Sequence, residues 1–156
     1  MVSKNMYSNK LINLRENNDL TQNDLSKIIG INRVSISRWE NGIEIIPIRK
    51  AVDIIKHFNT NLDYLFGLTK NNKPNKNYDI KKEISGKRIV LFRKEFNLTL
   101  RDLAKKLNTS SSTISSYETG KTLILSAFAY QMASKYKISM DWLLGLSDTM
   151  YIDKGK

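Results

Sequence analysis

The chain has 156 residues, of which 40% are hydrophobic, contains no cysteine and carries a formal net charge of +11. The apolar content excludes a disordered chain, and the lack of cysteine excludes disulfide bonds, thiolate metal sites and cysteine nucleophiles. The basic balance favours a polyanionic partner such as nucleic acid, with a generally lysine-rich surface as the alternative. Since no segment has the pattern of a signal peptide or a membrane span, we expect a cytoplasmic, nucleoid-associated protein without a membrane partner.

The sequence repeats itself without a gap. Shifting it by 78 residues aligns residues 10–69 with residues 88–147. A period of this length exceeds that of a solenoid repeat, so we expect each copy to fold as a domain of its own. Identical positions include Arg15/Arg93, Thr21/Thr99, Leu25/Leu103, Ile36/Ile114, Glu40/Glu118 and Gly42/Gly120.

A polar segment, "KNNKPNKNYDIKKE", separates the copies. Residues 70–88 carry seven basic and two acidic side chains, so much of the excess positive charge is concentrated here. Asn, Lys and a proline together are typical of a linker. Its lysines, Lys73 and Lys76 among them, either contact phosphate or belong to a solvated tether. The predicted organisation is a domain at 1–69, a basic linker at 70–84, a second domain at 85–148 and a tail at 149–156.

Each copy predicts an all-α fold of five helices, without strands. In the first copy, Leu11 and Leu14 begin the first helix. The second helix follows a capping box, in which the hydroxyl of Thr21 precedes the carboxylate of Asp24 by three residues. The corresponding residues of the second copy are Ile89, Phe92, Thr99 and Asp102.

The second helix is short, and a tight turn follows it. Leu25, Ile28 and Ile29 are expected to face the core, and the helix stops at Gly30. The second copy has Asn108 there, the other residue type that tolerates positive φ. The remaining predicted features are third-helix N-caps at Asn32 and Ser110, stops at Gly42 and Gly120, fourth helices at 48–58 and 126–136, and short fifth helices.

The third helix of the first copy has two distinct faces. At 100° per residue, Ile36 and Trp39 point the same way and are predicted core residues. A helix preceded by a tight turn and a second helix is the arrangement that enters the DNA major groove. Arginine donates two hydrogen bonds to guanine and valine touches the thymine methyl group, so the opposite face suits base contact. The side chains on that face are Arg33, Val34, Ser37 and Arg38.

On these motifs, both copies resemble the Cro/C1-type (XRE) helix-turn-helix domain of phage repressors and bacterial regulators. The resemblance rests on "LxxLR" at 11–15, "LTQNDLSKIIGINRVSISRWENG" at 20–42 and "LDYLFGL" at 62–68, and it covers most of the chain. It implies two tandem five-helix, lambda-repressor-like domains and a regulator that binds double-stranded DNA. It gives no reason to expect an enzyme, a cofactor or a metal.

The resemblance also implies roles for single residues. Arg33, Val34, Ser37 and Arg38 would form the base-contacting set. Gln22 would either contact a phosphate or brace that set, and the backbone amides of Asn41 and Gly42 would face phosphate. Two structural ion pairs are implied as well, Arg15 with Glu40 and Arg93 with Glu118. Neither pair is expected to contact DNA.

The second copy differs at the outward positions of its third helix. Leu100 replaces Gln22, and serine discriminates bases less than arginine does. Three explanations stay open: contact with phosphate and DNA shape, a dimerisation or effector-binding role, or base contact through water. The positions that form this weaker face are Ser111, Ser112, Ser115, Ser116 and Lys121.

The segment "TLILSAFAYQMA" is more apolar than a small helical domain needs for its own core. Excess apolar surface indicates an interface, and a larger core is the alternative. We therefore expect the second copy mainly to assemble the protein as a homodimer. The candidate dimer surface consists of Leu123, Leu125, Phe128 and Tyr130.

The sequence leaves two functions open. The first is a sequence-specific regulator, more often a repressor than an activator, that binds a double-stranded DNA operator and is controlled by an antirepressor or another protein. The second is an antitoxin-like or effector-binding module whose helix-turn-helix folds bind another protein. An enzyme is not expected: His57 is the only histidine and is predicted to lie on the surface, and no phosphate-binding loop or carboxylate cluster is present in the sequence.

Overall fold

The computed structural model describes residues 8–152 of the chain. Within that range there are ten helices and no strand, apart from one isolated bridge between Ile138 and Tyr151. The chain divides between Pro74 and Asn75 into two compact units, named here the N-terminal unit and the C-terminal unit. The predicted all-α fold with two tandem helix-turn-helix regions is confirmed.

The N-terminal unit contains α1 (Leu11–Asn17), α2 (Gln22–Ile29), α3 (Arg33–Glu40), α4 (Ile48–Phe58) and α5 (Leu62–Leu65). The C-terminal unit contains α6 (Lys82–Glu95), α7 (Leu100–Lys106), α8 (Ser111–Glu118), α9 (Ser126–Tyr136) and α10 (Met140–Leu143). None of these helices, within the part of the chain that the structure describes, has the length and apolar character needed to span a membrane.

The helix starts follow the predicted caps. The Thr21 hydroxyl accepts a hydrogen bond from the Asp24 amide at 3.0 Å, and the Asp24 carboxylate accepts one from the Thr21 amide at 2.8 Å. This backbone N–H bond is the main reason that the pKa of Asp24 lies below its usual value. The corresponding box at Thr99 and Asp102 has distances of 3.0 and 2.9 Å. The predicted caps thus satisfy amides that a helix start leaves without partners.

Each unit has a core of its own. Fully buried side chains of the N-terminal unit include Leu11, Leu25 and Ile36. The prediction that Ile28 faces the core is wrong, since this side chain is 41% exposed. In a helix of eight residues, Leu25 and Ile29 share the buried face four residues apart, and Ile28, about 60° from Leu25 and about 100° from Ile29, lies at the edge of that face. Buried residues of the C-terminal unit include Ile89, Phe92, Leu103, Ile114 and Leu143.

The segment after the last helix of each unit folds back onto that unit. The side-chain amide of Asn61 donates to the carbonyls of Asn71 and Lys73 at 2.9 and 2.8 Å. In the C-terminal unit, the amide of Ser139 donates to the carbonyl of Met150 at 2.8 Å. The first part of the predicted linker is therefore bound to the N-terminal unit. The last residues of that linker, 82–84, belong to α6.

Candidate nucleic-acid interface

The turn between α2 and α3 fixes the direction of α3. Gly30 has φ of 65°, and Asn32 caps α3 by accepting from the Ser35 amide at 2.8 Å. Ile36 and Trp39 are 0% and 2% exposed, as predicted, so α3 is held against the core by these two side chains. Its opposite face must then point to solvent.

The four predicted base-contacting residues lie on this outward face of α3. Val34 is 58% exposed, so its methyl groups are accessible to a partner. Arg33 and Arg38 are exposed, and Ser37 is half-buried. The face therefore combines two guanidinium groups, one hydroxyl and one small apolar side chain, the groups that pair with base edges in the major groove.

Gln22 connects two parts of this site. Its side-chain N–H donates to a carboxylate oxygen of Glu40 at 3.0 Å. Its amide oxygen accepts from Nη1 of Arg33 at 3.4 Å. Gln22 thus links a structural ion pair at the base of α3 to a candidate DNA contact at the tip. Of the two predicted roles for Gln22, this geometry favours the one in which Gln22 holds Arg33 in place.

The implied ion pairs are present in both units. Arg15 donates to Glu40 through Nε at 2.6 Å and through Nη2 at 3.0 Å, and these side chains are only 13% and 2% exposed. The hydrogen bond to Glu40 raises the pKa of Arg15. Arg93 donates to Glu118 at 2.5 and 2.9 Å in the same arrangement. Each pair fastens the first helix of its unit to the end of the third.

The turn after α3 differs from the expectation for phosphate contact. The Asn41 amide donates to the Ser37 carbonyl at 3.0 Å, and the Gly42 amide donates to the Trp39 carbonyl at 3.1 Å. Gly42 is also buried, with φ of 68°. Both backbone amides are therefore already used within the protein. The exposed group at this turn is the Asn41 side chain, which donates to the Ser37 hydroxyl at 3.4 Å.

The predicted lysines lie at the surface. Lys73 and Lys76 on the connector are exposed, as is Lys121 after α8. His57 is exposed too, with its ring edge-on to Phe58 at 4.9 Å, and so it lies on the surface as predicted. Among residues 8–152 no cluster of three or more His, Cys, Asp or Glu side chains is placed to hold a metal ion.

One contact on the outward face was not predicted. Nε of Arg38 donates to Oε1 of Glu44 at 2.7 Å, and the two side chains are 47% and 48% exposed. Glu44 lies beyond the turn at Gly42, six residues after Arg38. The signal in the sequence was an acidic residue four positions after the end of α3, where the second copy has Thr122.

On the corresponding face of the C-terminal unit, the four outward positions of α8 hold uncharged serines. Ser111 and Ser112 are exposed, while Ser115 and Ser116 are half-buried. The hydroxyl of Ser112 lies 3.0 Å from that of Ser110, the N-cap of α8, and shares a hydrogen bond with it. Leu100, which stands where the first copy has Gln22, has no polar group with which to brace such a face.

The start of α6 packs closely on the end of α8. A Cβ added to Gly86 would lie 2.5 Å from the carbonyl oxygen of Glu118 and 2.6 Å from that of Tyr117. A Cβ on Gly120 would lie 3.2 Å from the Cα of Glu83. An acidic residue therefore stands beside the turn after α8, at the position where a phosphate contact is expected in a helix-turn-helix domain.

The candidate dimer surface is partly core and partly surface. Leu125 is 59% exposed. Leu123, Phe128 and Tyr130 are half-buried, and the Phe128 ring lies 6.3 Å from the ring of Tyr117 between centroids. Phe128 therefore extends the core, whereas Leu125 faces solvent and stays a candidate for the predicted interface.

Comparison with protein families gives two matches to the helix-turn-helix family model, at residues 11–65 and 89–143. These ranges cover more than half of the chain and coincide with the two copies. The chain belongs to the XRE-type helix-turn-helix family. This is a family of DNA-binding regulators rather than of enzymes.

One curated relative is antitoxin PezA of Streptococcus pneumoniae, which is 36% identical over 81 residues. The alignment includes 51% of this chain and 48% of the relative, so the chain spans about half the length of the curated relative it matches. No solved structure matches the chain.

Proposed function

We propose that the protein is a transcriptional repressor that binds a specific double-stranded DNA operator and contacts the major groove mainly with α3. A cytoplasmic, nucleoid-associated location goes with this function. The observation that carries the proposal is the outward face of α3, on which two arginines and an exposed valine stand together on a helix that the core holds rigidly. A face of this composition has direct partners among base edges.

Within this proposal, Arg33 and Arg38 donate to guanine and Val34 touches a thymine methyl group. Gln22 keeps Arg33 in place through its two side-chain hydrogen bonds. Ser37 and the Asn41 side chain contact the groove edge or a phosphate at the far end of α3. Because the amides of Asn41 and Gly42 are occupied, their contribution is to shape this turn.

Phosphate contacts come from the basic surface. Lys73 and Lys76 are exposed on the connector, within a segment that carries much of the net charge. Each phosphate that a lysine neutralises releases counterions, so the affinity must fall steeply with salt concentration. Lys121 adds a weaker contact of the same kind from the C-terminal unit.

The C-terminal unit mainly assembles a homodimer and adds unspecific affinity for phosphate. Three observations support this division of roles: serines replace the arginines, Leu100 replaces the bracing glutamine, and Glu83 stands beside the turn at Gly120. A carboxylate there opposes the approach of a phosphate, since like charges repel. The exposed Leu125 provides an apolar contact for a second copy.

The central test is random-site selection on the full chain, followed by binding measurements with substituted proteins. Arg33→Ala is expected to lose about 1–3 kcal/mol of operator affinity and to relax the preference at one base position. Ser111→Ala, at the corresponding position of α8, is the matched control and is expected to change neither. Unaltered operator preference in Arg33→Ala would contradict the assignment of α3.

Assembly is tested separately. Leu125→Glu is expected to weaken dimerisation at least tenfold, because a charge is costly in an apolar interface and the exposed position tolerates it in the monomer. Sedimentation equilibrium gives the dissociation constant of the dimer. Pro47→Glu, at the corresponding exposed position before α4, is the control. A dimer that persists in Leu125→Glu would place the interface elsewhere.

A second candidate function is a protein-interaction module of the antitoxin type. It is favoured by the relative named as an antitoxin, which is 36% identical over half of this chain. Salt separates the two functions, because DNA affinity falls in proportion to the number of phosphates neutralised, whereas an apolar protein interface responds weakly. Binding measured between about 50 and 200 mM salt covers the range in which this difference is large.

A further inference from the structure

We propose that Glu44 determines specificity on the DNA-contacting face, by orienting Arg38 for guanine and by opposing contact between Arg38 and phosphate. The inference rests on the proposed function, since it concerns how the same face distinguishes one DNA sequence from another. Glu44 acts through Arg38 and is therefore a positioning residue.

The backbone places Glu44 beside Arg38. The carbonyl of Arg38 accepts hydrogen bonds from the amides of Ile43 and Glu44, at 2.9 and 3.4 Å. Gly42, with its φ of 68°, makes the reversal of direction possible. The carboxylate then accepts from Nε of Arg38 at 2.7 Å. The pair is thus built into the turn that ends α3.

The contact with Glu44 uses Nε of Arg38 and not the two terminal nitrogens of the guanidinium. Within residues 8–152, the side chain of Arg38 makes its one hydrogen bond through Nε. Nη1 and Nη2 remain available, and they lie in the plane that the carboxylate helps to hold. Guanine presents two acceptors, O6 and N7, that accept two parallel N–H bonds in the major groove. Arg38 held by Glu44 is therefore pre-arranged for guanine.

The charge of Glu44 distinguishes a base from a phosphate. A phosphate that approached Arg38 would come close to the carboxylate and be repelled by it. Guanine carries no net charge and meets a much smaller penalty. Because non-specific affinity comes almost wholly from phosphate contacts, a carboxylate at this position lowers non-specific binding more than specific binding.

The second copy supports the coupling of the two residues. In the register of the repeat, Ser116 stands in place of Arg38 and Thr122 in place of Glu44. Both members of the pair are absent together in the copy whose face has no arginine. At this register position the carboxylate is present only in the copy that has the arginine, which indicates a role tied to that arginine.

The experiment compares Glu44→Gln with Asp53→Asn in the full chain. Asp53 lies on α4, is exposed, and forms an ion pair with Lys50 at 3.7 Å. The control therefore also removes one negative charge, but from a helix other than α3. Dissociation constants are measured over a range of salt for the selected operator, for the operator with the Arg38-dependent base pair replaced, and for an unrelated duplex.

Glu44→Gln is expected to bind the unrelated duplex several-fold more tightly and to lower the ratio of specific to non-specific affinity about tenfold. The salt slope for the unrelated duplex becomes steeper by about 0.9, the value for one added phosphate contact. Asp53→Asn is expected to leave the ratio unchanged. In the Arg38→Ala background, Glu44→Gln is expected to have no effect on base preference.

Two results would overturn the inference. If Glu44→Gln behaves like Asp53→Asn, the carboxylate contributes only its share of net charge. If Glu44→Gln changes base preference equally in the Arg38→Ala background, Glu44 acts without Arg38. A chain that selects no operator sequence and binds DNA without salt dependence is a different result, since it would refute the proposed function itself.

Discussion

The third helices of the two units are held by the same ion pair, while different groups contact the backbone carbonyl beside it at the C-terminal end of each helix. In both units a bidentate arginine–glutamate pair joins the first helix to the third. At the end of α3, the side chain of Asn9 donates to the carbonyl of Trp39 at 3.0 Å. At the end of α8, the corresponding carbonyl of Tyr117 lies against α6 itself, where Gly86 permits close approach.

This difference shows how a duplicated domain changes its use without changing its fold. The capping boxes, the ion pair and the buried face hold the third helix in either unit. The outward face and the end of the helix are free to vary, because neither contributes to the core. Among the residues that the structure describes, the carbonyl of Trp39 meets the Asn9 side chain, whereas the carbonyl of Tyr117 meets the backbone of α6 at Gly86.

The largest effect is expected when the shared ion pair is broken. Glu40→Gln removes the buried partner of the Arg15 guanidinium, a glutamate only 2% exposed, and leaves it the exposed Glu16 at 3.9 Å as its charged partner. We expect a loss of about 3 kcal/mol in the stability of the N-terminal unit. Trp39 and Trp142 lie one in each unit, so 5-fluorotryptophan labelling and 19F NMR in urea follow the two units separately.

Glu118→Gln is the matched substitution in the C-terminal unit. Glu118 is 10% exposed, so its loss should cost less than that of Glu40. Each substitution should move the fluorine signal of its own unit. If both substitutions cost under about 1 kcal/mol, the pairs behave as exposed surface pairs. The ion pair would then not be what holds the third helix in either unit.

The next effect tests the covered end of α8. Alanine in place of glycine inside a helix ordinarily stabilises it by about 0.5–1 kcal/mol. For Gly86→Ala the sign reverses, because the new methyl group would meet two backbone oxygens that cannot move cheaply. We expect the C-terminal unit to lose about 2 kcal/mol, as in other overpacked sites. Thermal unfolding monitored by the Trp142 signal measures this loss.

The corresponding position of the N-terminal unit provides the control. Ser8 is exposed and precedes α1, so Ser8→Ala should leave the stability of the N-terminal unit within about 0.5 kcal/mol. A stabilising Gly86→Ala would mean that α6 does not lie against α8. The C-terminal ends of α3 and α8 would then not differ in how they are covered.

Local features of the fold could be predicted from the sequence. The caps at Thr21 and Asn32, the buried Ile36 and Trp39, and the bounds of α4 depend on residues within a few positions of each other, and each is present as predicted. The tandem helix-turn-helix family was predicted for the same reason, since its motifs are contiguous.

Contacts across turns and between helices could not be predicted. The close packing of α6 at Gly86 on the carbonyls of Tyr117 and Glu118 joins residues that lie far apart in the sequence. The Arg38–Glu44 pair depends on the exact reversal of the chain after α3. The use of the Asn41 and Gly42 amides within the helix end was likewise visible only in the structure.

The smallest effect tests whether the two units are interchangeable where they share a role. Gly30 and Asn108 occupy corresponding turns of the two units, with φ of 65° and 56°. A Cβ on Gly30 would meet nothing within 4 Å, so only backbone strain opposes a substitution there. Gly30→Ala should cost about 1 kcal/mol, and Gly30→Asn roughly half of that or less, because asparagine tolerates this region. The urea midpoint of the Trp39 signal distinguishes the two variants. Equal losses would show that asparagine does not replace glycine in the turn between α2 and α3, although Asn108 occupies the corresponding turn of the C-terminal unit.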